Sequence, residues 1–182
     1  RLHNIPYRGV DIDPLQHQSV LIDLRLITIA IIEPEDRIAC LGLLRSPLVG
    51  LSLADIKALV QTNYKGNMWE CLNDQSRISA LDKYARTRLS RLTSLMTDAM
   101  SMRKMYSVQP IVEYVWHNLG GLHMTGGVSS SDIDVYWQLL DQLGSNGELS
   151  IAELGLRIER LAATETSQND DIQVELMTIH KS

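Results

Sequence analysis

The sequence predicts a mainly α chain, a helical lobe carried between short terminal β-strands. Apolar residues recur at close to helical spacing through most of residues 14–162. β-Branched residues with partial alternation are confined to "IPYRGVDI" (5–12) and "IQVELMTI" (172–179). The apolar share is 45%, enough to bury one well-packed domain and too high for a disordered chain. Strands at both ends with helices between read as an insertion, with the two ends side by side in a parent sheet. The organisation expected is a strand segment at 1–13, a helical lobe at 14–163, a polar linker "TETSQNDD" at 164–171, and a strand at 172–182.

The elements follow in order. Residues 14–32 place Leu15, Val20, Leu21, Leu24, Ile27 and Ile31 near the 3.6-residue period. Pro34 is expected to open a second helix through about Leu44, with Glu35 and Asp36 in its first turn, where the helix dipole favours acids. "SPLVG" breaks the pattern, and Ser52 with Asp55 forms a capping-box signature for a helix at 53–61. "NYKGN" is a turn before a short helix at 68–72. Residues 75–103 read as one long helix with Ile78, Leu81, Ala85, Leu89, Leu92, Met96 and Ala99 on one face. Further helices are expected at 108–118, 131–143 and 151–162, the last capped by Ser150 with Glu153.

Composition narrows the function classes. The longest apolar run, 20–32, is interrupted by Asp23, Arg25 and Thr28 and is too short to span a membrane. Residues 1–13 are polar and contain Pro6 and Gly9, unlike a signal peptide. Cys40 and Cys71 stand apart with no C-x-x-C spacing, so a cytoplasmic protein with reduced, buried thiols is expected. The formal net charge of −5 disfavours nucleic acid on average, but its distribution does not. Residues 74–104 hold seven basic and three acidic side chains, whereas 105–182 hold three basic and eleven acidic. Lys83, Arg86, Arg88 and Arg91 lie within about two and a half turns of the long helix and are the candidates for a duplex- or partner-facing surface.

Other motifs have plainer readings. "LGGLHMTGG" lacks the G-x-x-x-x-G-K-[ST] of a phosphate loop and follows a helix, so Gly120 or Gly121 is expected to stop that helix. "QLGSNGELSIAE" (142–153) imitates a calcium loop at Asn146, Gly147, Ser150 and Glu153. It places Gln142 and Gly144 where carboxylates are needed, leaving a degenerate EF-hand as a remote alternative. His3, His17, His117, His123 and His180 show no H-x-x-x-H or H-E-x-x-H spacing, and no metal site is expected.

The ends carry a resemblance. "VELMTIHKS" (174–182) resembles the fifth motif of UvrD/Rep-like superfamily 1 DNA helicases, where such a strand runs on into K-G-L-E-F. "NIPYRGVDIDPL" followed by "LIDLRLITIAIIEPEDRIACLGLLRSPLVGLSLADI" resembles the segment after the fourth motif, closest to the RecB/AddA-like, exonuclease V beta-type branch. "WHNLGG" (116–121) and "VYWQLLDQL" (135–143) continue in the order that branch implies. Leu48-Val49 stand where the family commonly has an aromatic residue.

The resemblance implies an accessory 2B subdomain flanked by pieces of the second RecA-like domain, with the terminal strands belonging to that sheet. The missing starting methionine and the break after Ser182, inside a motif, predict a piece of a longer protein. The implied parent is an ATP-dependent DNA helicase, with or without a nuclease, acting in DNA repair or recombination and using ATP and Mg. No P-loop or Asp-Glu magnesium pair is assignable in this chain, so no catalytic residue or cofactor of its own is expected, and alone it should be inactive. Carried over by motif, Thr178, His180, Lys181 and Ser182 would meet single-stranded DNA. The lobe would touch the duplex junction or a partner subunit and regulate unwinding. A protein-docking helical module without DNA affinity is the competing expectation.

Overall fold

The computed structural model describes residues 8–9, 14–60, 68–124, 130–145, 150–158 and 175–176, and these are mainly helical. β1 (Arg8–Gly9) precedes α1 (Pro14–Ile32), α2 (Arg37–Arg45), α3 (Leu53–Leu59), α4 (Met68–Asn73), α5 (Gln75–Ile78), α6 (Lys83–Met102), α7 (Val108–Asn118) and α8 (Ser130–Ser145). A ninth helix, α9, covers residues 151–158, and β2 (Glu175–Leu176) follows. β1 and β2 pair in parallel, Arg8 opposite Glu175 and Gly9 opposite Leu176. These two residue pairs are the part of the expected side-by-side arrangement that the described residues cover. The remainder of the expected strands, 5–12 and 172–179, falls outside the described residues.

α1 is the axis of the lobe. It packs on α2, α6, α7 and α8, and Val20, Leu24, Ile27, Ile29, Ala30 and Ile31 are all buried. A helix apolar around most of its circumference belongs inside a domain rather than on its surface. α2 approaches closely because Gly42 has no side chain, and a Cβ there would lie 2.8 Å from Leu26 Cδ2. α7 brings Ile111, Val112, Val115 and Trp116 into the core, and α8 brings Tyr136, Leu139, Leu140 and Leu143. Trp116 meets Trp137 edge to face with ring centroids 5.8 Å apart.

Capping decides where several helices start. Ser52 and Asp55 form the expected reciprocal box at α3. At α2 the start differs from the expectation. Asp36 Oδ1 accepts from the N–H groups of Ile38 and Ala39, so Asp36 is the cap, and Pro34 and Glu35 form the preceding turn. The expected long helix at 75–103 is also divided. Asp74 caps α5 through Ser76 N–H, and Asp82 Oδ1 accepts from Ala85 N–H at 2.8 Å to start α6 afresh. The apolar face of α6 is otherwise as expected, with Leu95 added to it. Gly120 ends α7 at φ +91°, a conformation glycine adopts without strain.

Two polar groups sit on the buried surface of α1. Thr28 Oγ1 donates to the Leu24 carbonyl at 2.8 Å. Its hydrogen being used there, the Tyr136 hydroxyl is the donor in the 2.7 Å bond between Thr28 and Tyr136. Tyr136→Phe should therefore destabilise by about 1 kcal/mol. Thr28→Val leaves the Tyr136 hydroxyl buried without an acceptor and should cost more, about 2 kcal/mol. Urea denaturation of both variants checks this asymmetry, and equal losses would contradict it.

Asp23 is 7% exposed, and its carboxyl makes no hydrogen bond or ion pair to the described residues. Burial pushes its pKa from 3.8 up to about 6. Above that value the charge is held in the fold at a cost. As pH falls from about 6 towards 3.8, the folded chain takes up a proton that the unfolded chain does not, and stability rises. Asp23→Asn should be more stable than the parent at pH 7.5, and the gap should narrow at pH 4.5. A gap independent of pH would refute the assignment.

Candidate nucleic-acid interface

The four basic candidates all fall on α6 and are all exposed, but they do not form one strip. At about 100° per residue, Lys83 and Arg86 lie about 60° apart, as do Arg88 and Arg91, and the two pairs are centred about 140° apart around the helix. Their local partners differ accordingly. Among the described residues, Arg86 Nε makes only a long, 3.4 Å contact to the carbonyl of Asp82, the cap of its own helix. Arg88 Nη1 donates at 2.7 Å to the carbonyl of Gly50, in the turn before α3. Arg91 Nη2 donates to the carbonyl of Asn118, the last residue of α7.

The Arg91 bond belongs to a wider pattern, whereas Gly50 lies in a turn between helices. The final carbonyls of an α-helix have no partner within the helix and carry its negative pole. Arg77 Nη1 donates to Leu59, the last residue of α3, at 2.7 Å. Arg103 Nη1 donates to Ile31 near the end of α1 at 3.0 Å. Much of the positive charge noted in the sequence therefore ties helix ends to α5 and α6. Arg77 is in addition paired with Asp74 at 3.0 Å, whereas among the described residues neither Arg88 nor Arg91 is in an ion pair.

One residue of this face carries no charge and was not singled out from the sequence. Tyr84 is 78% exposed and lies four residues before Arg88 and seven before Arg91, so the three form a row on one helix face. The spacing Y-x-x-x-R-x-x-R was visible in the sequence. Its meaning depended on the tyrosine remaining outside the core.

Thr178, His180, Lys181 and Ser182 lie outside the described residues. Ser150 starts α9: its Oγ accepts from Glu153 N–H at 3.4 Å, and its carbonyl accepts from Leu154. Glu153 Oε1 accepts from Arg157 at 3.3 Å. Among the described residues no three metal-binding side chains come together, and no helix is long and apolar enough to cross a membrane. Both cysteines are buried free thiols. Burial, and then Asp36, pushes Cys40 up to about 11, while burial also raises Cys71, whose Sγ donates to the Leu59 carbonyl at 2.9 Å. A thiol held protonated in this way is a poor nucleophile.

A second surface feature is a groove of about 670 Å³ lined by Glu33, Pro34, Glu35, Asp36, Trp69 and Met100. Three of its six lining residues are acidic, and its apolar lining comes from α4, α6 and the α1–α2 turn. No family model matches the chain, and no curated protein matches it.

Proposed function

We propose that this chain is the helical accessory lobe, with flanking strand pieces, of an ATP-driven DNA helicase of the UvrD/Rep-like kind, on the RecB/AddA-like branch. The observation that carries the reading is the parallel pairing of Arg8–Gly9 with Glu175–Leu176. The chain leaves one strand, builds a helical body, and returns to a strand beside the first and running the same way. Parallel neighbours require such a crossover, and a lobe inserted between neighbouring strands of a larger sheet has this connectivity. The end motifs "NIPYRGVDIDPL" and "VELMTIHKS" are the sequence counterpart of that pairing.

In this reading ATP and Mg are bound by the rest of the parent enzyme. Thr178, His180, Lys181 and Ser182 approach single-stranded DNA, and α6 presents cations to the DNA ahead of the motor or to a partner subunit. The lobe regulates unwinding by where it sits.

A second reading is a protein-docking module without DNA affinity. The acid-rimmed groove at Glu33, Glu35 and Asp36 favours it, because such a groove complements a basic polypeptide segment rather than a phosphate backbone.

Fluorescence anisotropy with a tailed duplex across a salt series separates the two. The helicase-lobe reading expects binding whose log affinity falls with log salt, by about 0.9 for each phosphate contact. Lys83→Gln with Arg86→Gln removes two exposed cations that make no side-chain bond to another helix among those described above. The double variant should bind more weakly, with its melting temperature unchanged. Absence of binding at the lowest salt overturns the DNA-contacting role and leaves docking.

A further inference from the structure

We propose that the Tyr84–Arg88–Arg91 face of α6 is a short site for single-stranded nucleic acid, in which an unpaired base stacks on Tyr84 and adjoining phosphates meet the two guanidinium groups. This rests on the nucleic-acid reading above and names the form of nucleic acid that the face takes.

The first support is the tyrosine. A ring 78% exposed on a helix with an ample buried face contributes little to the fold. An aromatic face beside cations is what proteins that bind single strands without sequence preference present to successive bases. A duplex keeps its base faces stacked inside and offers none to such a ring.

The second support is the state of the arginines. Each uses one N–H of its five donors on a carbonyl, Arg88 on Gly50 and Arg91 on Asn118. A carbonyl is neutral, so the full positive charge of each guanidinium remains available. The bond also fixes the head group of a long side chain before any ligand arrives, which reduces the ordering cost of binding. Gly50 sits at φ +68°, and its ideal Cβ position is 3.4 Å from Arg88 Nη1, so the turn presents its carbonyl to the arginine at close range.

The third support is length. From Tyr84 the helix rises about 6 Å to Arg88 and about 10.5 Å to Arg91, which spans about three stacked steps at about 3.4 Å each. Carboxylates flank the row in sequence. Asp82 precedes it, with Oδ1 engaged by Ala85 N–H. Asp98 lies seven residues beyond Arg91 on the same face and faces Tyr114, whose hydroxyl is 3.4 Å from its Oδ2. The row thus ends at Asp98 on its own face, while Asp82 stands at the start of α6 about 160° around the helix from Tyr84.

The test uses the full chain and three fluorescein-labelled probes: a twelve-nucleotide oligothymidylate, an abasic deoxyribose-phosphate strand of the same length, and a blunt duplex. Tyr84→Ala should weaken oligothymidylate binding about tenfold or more. It should leave the salt slope and the abasic and duplex affinities unchanged, and Tyr84→Phe should retain binding. Arg91→Gln should reduce the salt slope for both single strands by about one phosphate contact. Equal oligothymidylate affinity for the parent and Tyr84→Ala overturns the inference. If salt-dependent duplex binding persists in that case, the nucleic-acid reading stands. Equal weakening on all three probes also overturns it, since the tyrosine would then act through the fold. Absence of binding to every probe overturns the reading and the inference together.

Discussion

The lobe depends on one constraint, the burial of α1 among α2, α6, α7 and α8. Every helix that packs on α1 must end or turn at its margin, and each ending exposes carbonyls that water would otherwise satisfy. Unpaired carbonyls in a half-buried margin are costly. Part of that demand is met locally, as by Ser46 Oγ donating to Leu43 at the end of α2, and part by arginine, whose planar, multiply donating head can reach a carbonyl from a neighbouring helix. Arg103 serves α1 itself, Arg77 serves α3, and Arg91 serves α7. The same burial explains why polar side chains on α1 are few. Thr28 is bonded within its own helix and to Tyr136. Asp23, with no such bond, is shifted towards its neutral form.

That solution gives the basic helix a double character. A lysine pointing to water would register the same charge in the sequence but would bind no carbonyl across a helix boundary. Arginines anchored by one bond remain cations at fixed positions, so structural use and ligand contact are compatible on a single side chain. Anchoring also sorts the four basic residues of α6. Arg88 and Arg91 are held on one face, while Lys83 and Arg86 make no side-chain bond to another helix among those described.

What the sequence revealed follows the range of the interactions. α1, α3 and α7 were legible because their determinants are local: apolar period, the Ser52–Asp55 box, and Gly120 after the last turn. The division between α5 and α6 was hidden because Ile78, Leu81 and Ala85 keep the helical phase across it. Only the Asp82 side chain, bonded to Ala85 N–H, reveals a new start. At Pro34 a real signal was outcompeted, since Asp36 reaches two N–H groups and sets the start three residues later. The basic cluster was legible as charge but not as partners. Arg88 meets a carbonyl 38 residues away and Arg91 one 27 residues away, distances over which no periodicity argument extends.

The strand pair and the buried helix are connected by very little chain. Gly9 stands five residues before Pro14, the first residue of α1. A two-residue parallel pair is too short to persist on its own. It needs either a larger sheet on its free edges or the support of the helical body that it joins. Both requirements point the same way. Any sheet that recruits β1 and β2 is tethered within a few residues to the helix on which α2, α6, α7 and α8 are packed. Bending α1 would open the core on several sides at once, so the helices packed on it move as a unit. A lobe built in this way can change position as a body while the Tyr84–Arg88–Arg91 row keeps its spacing, since both anchoring carbonyls belong to the same body as α6.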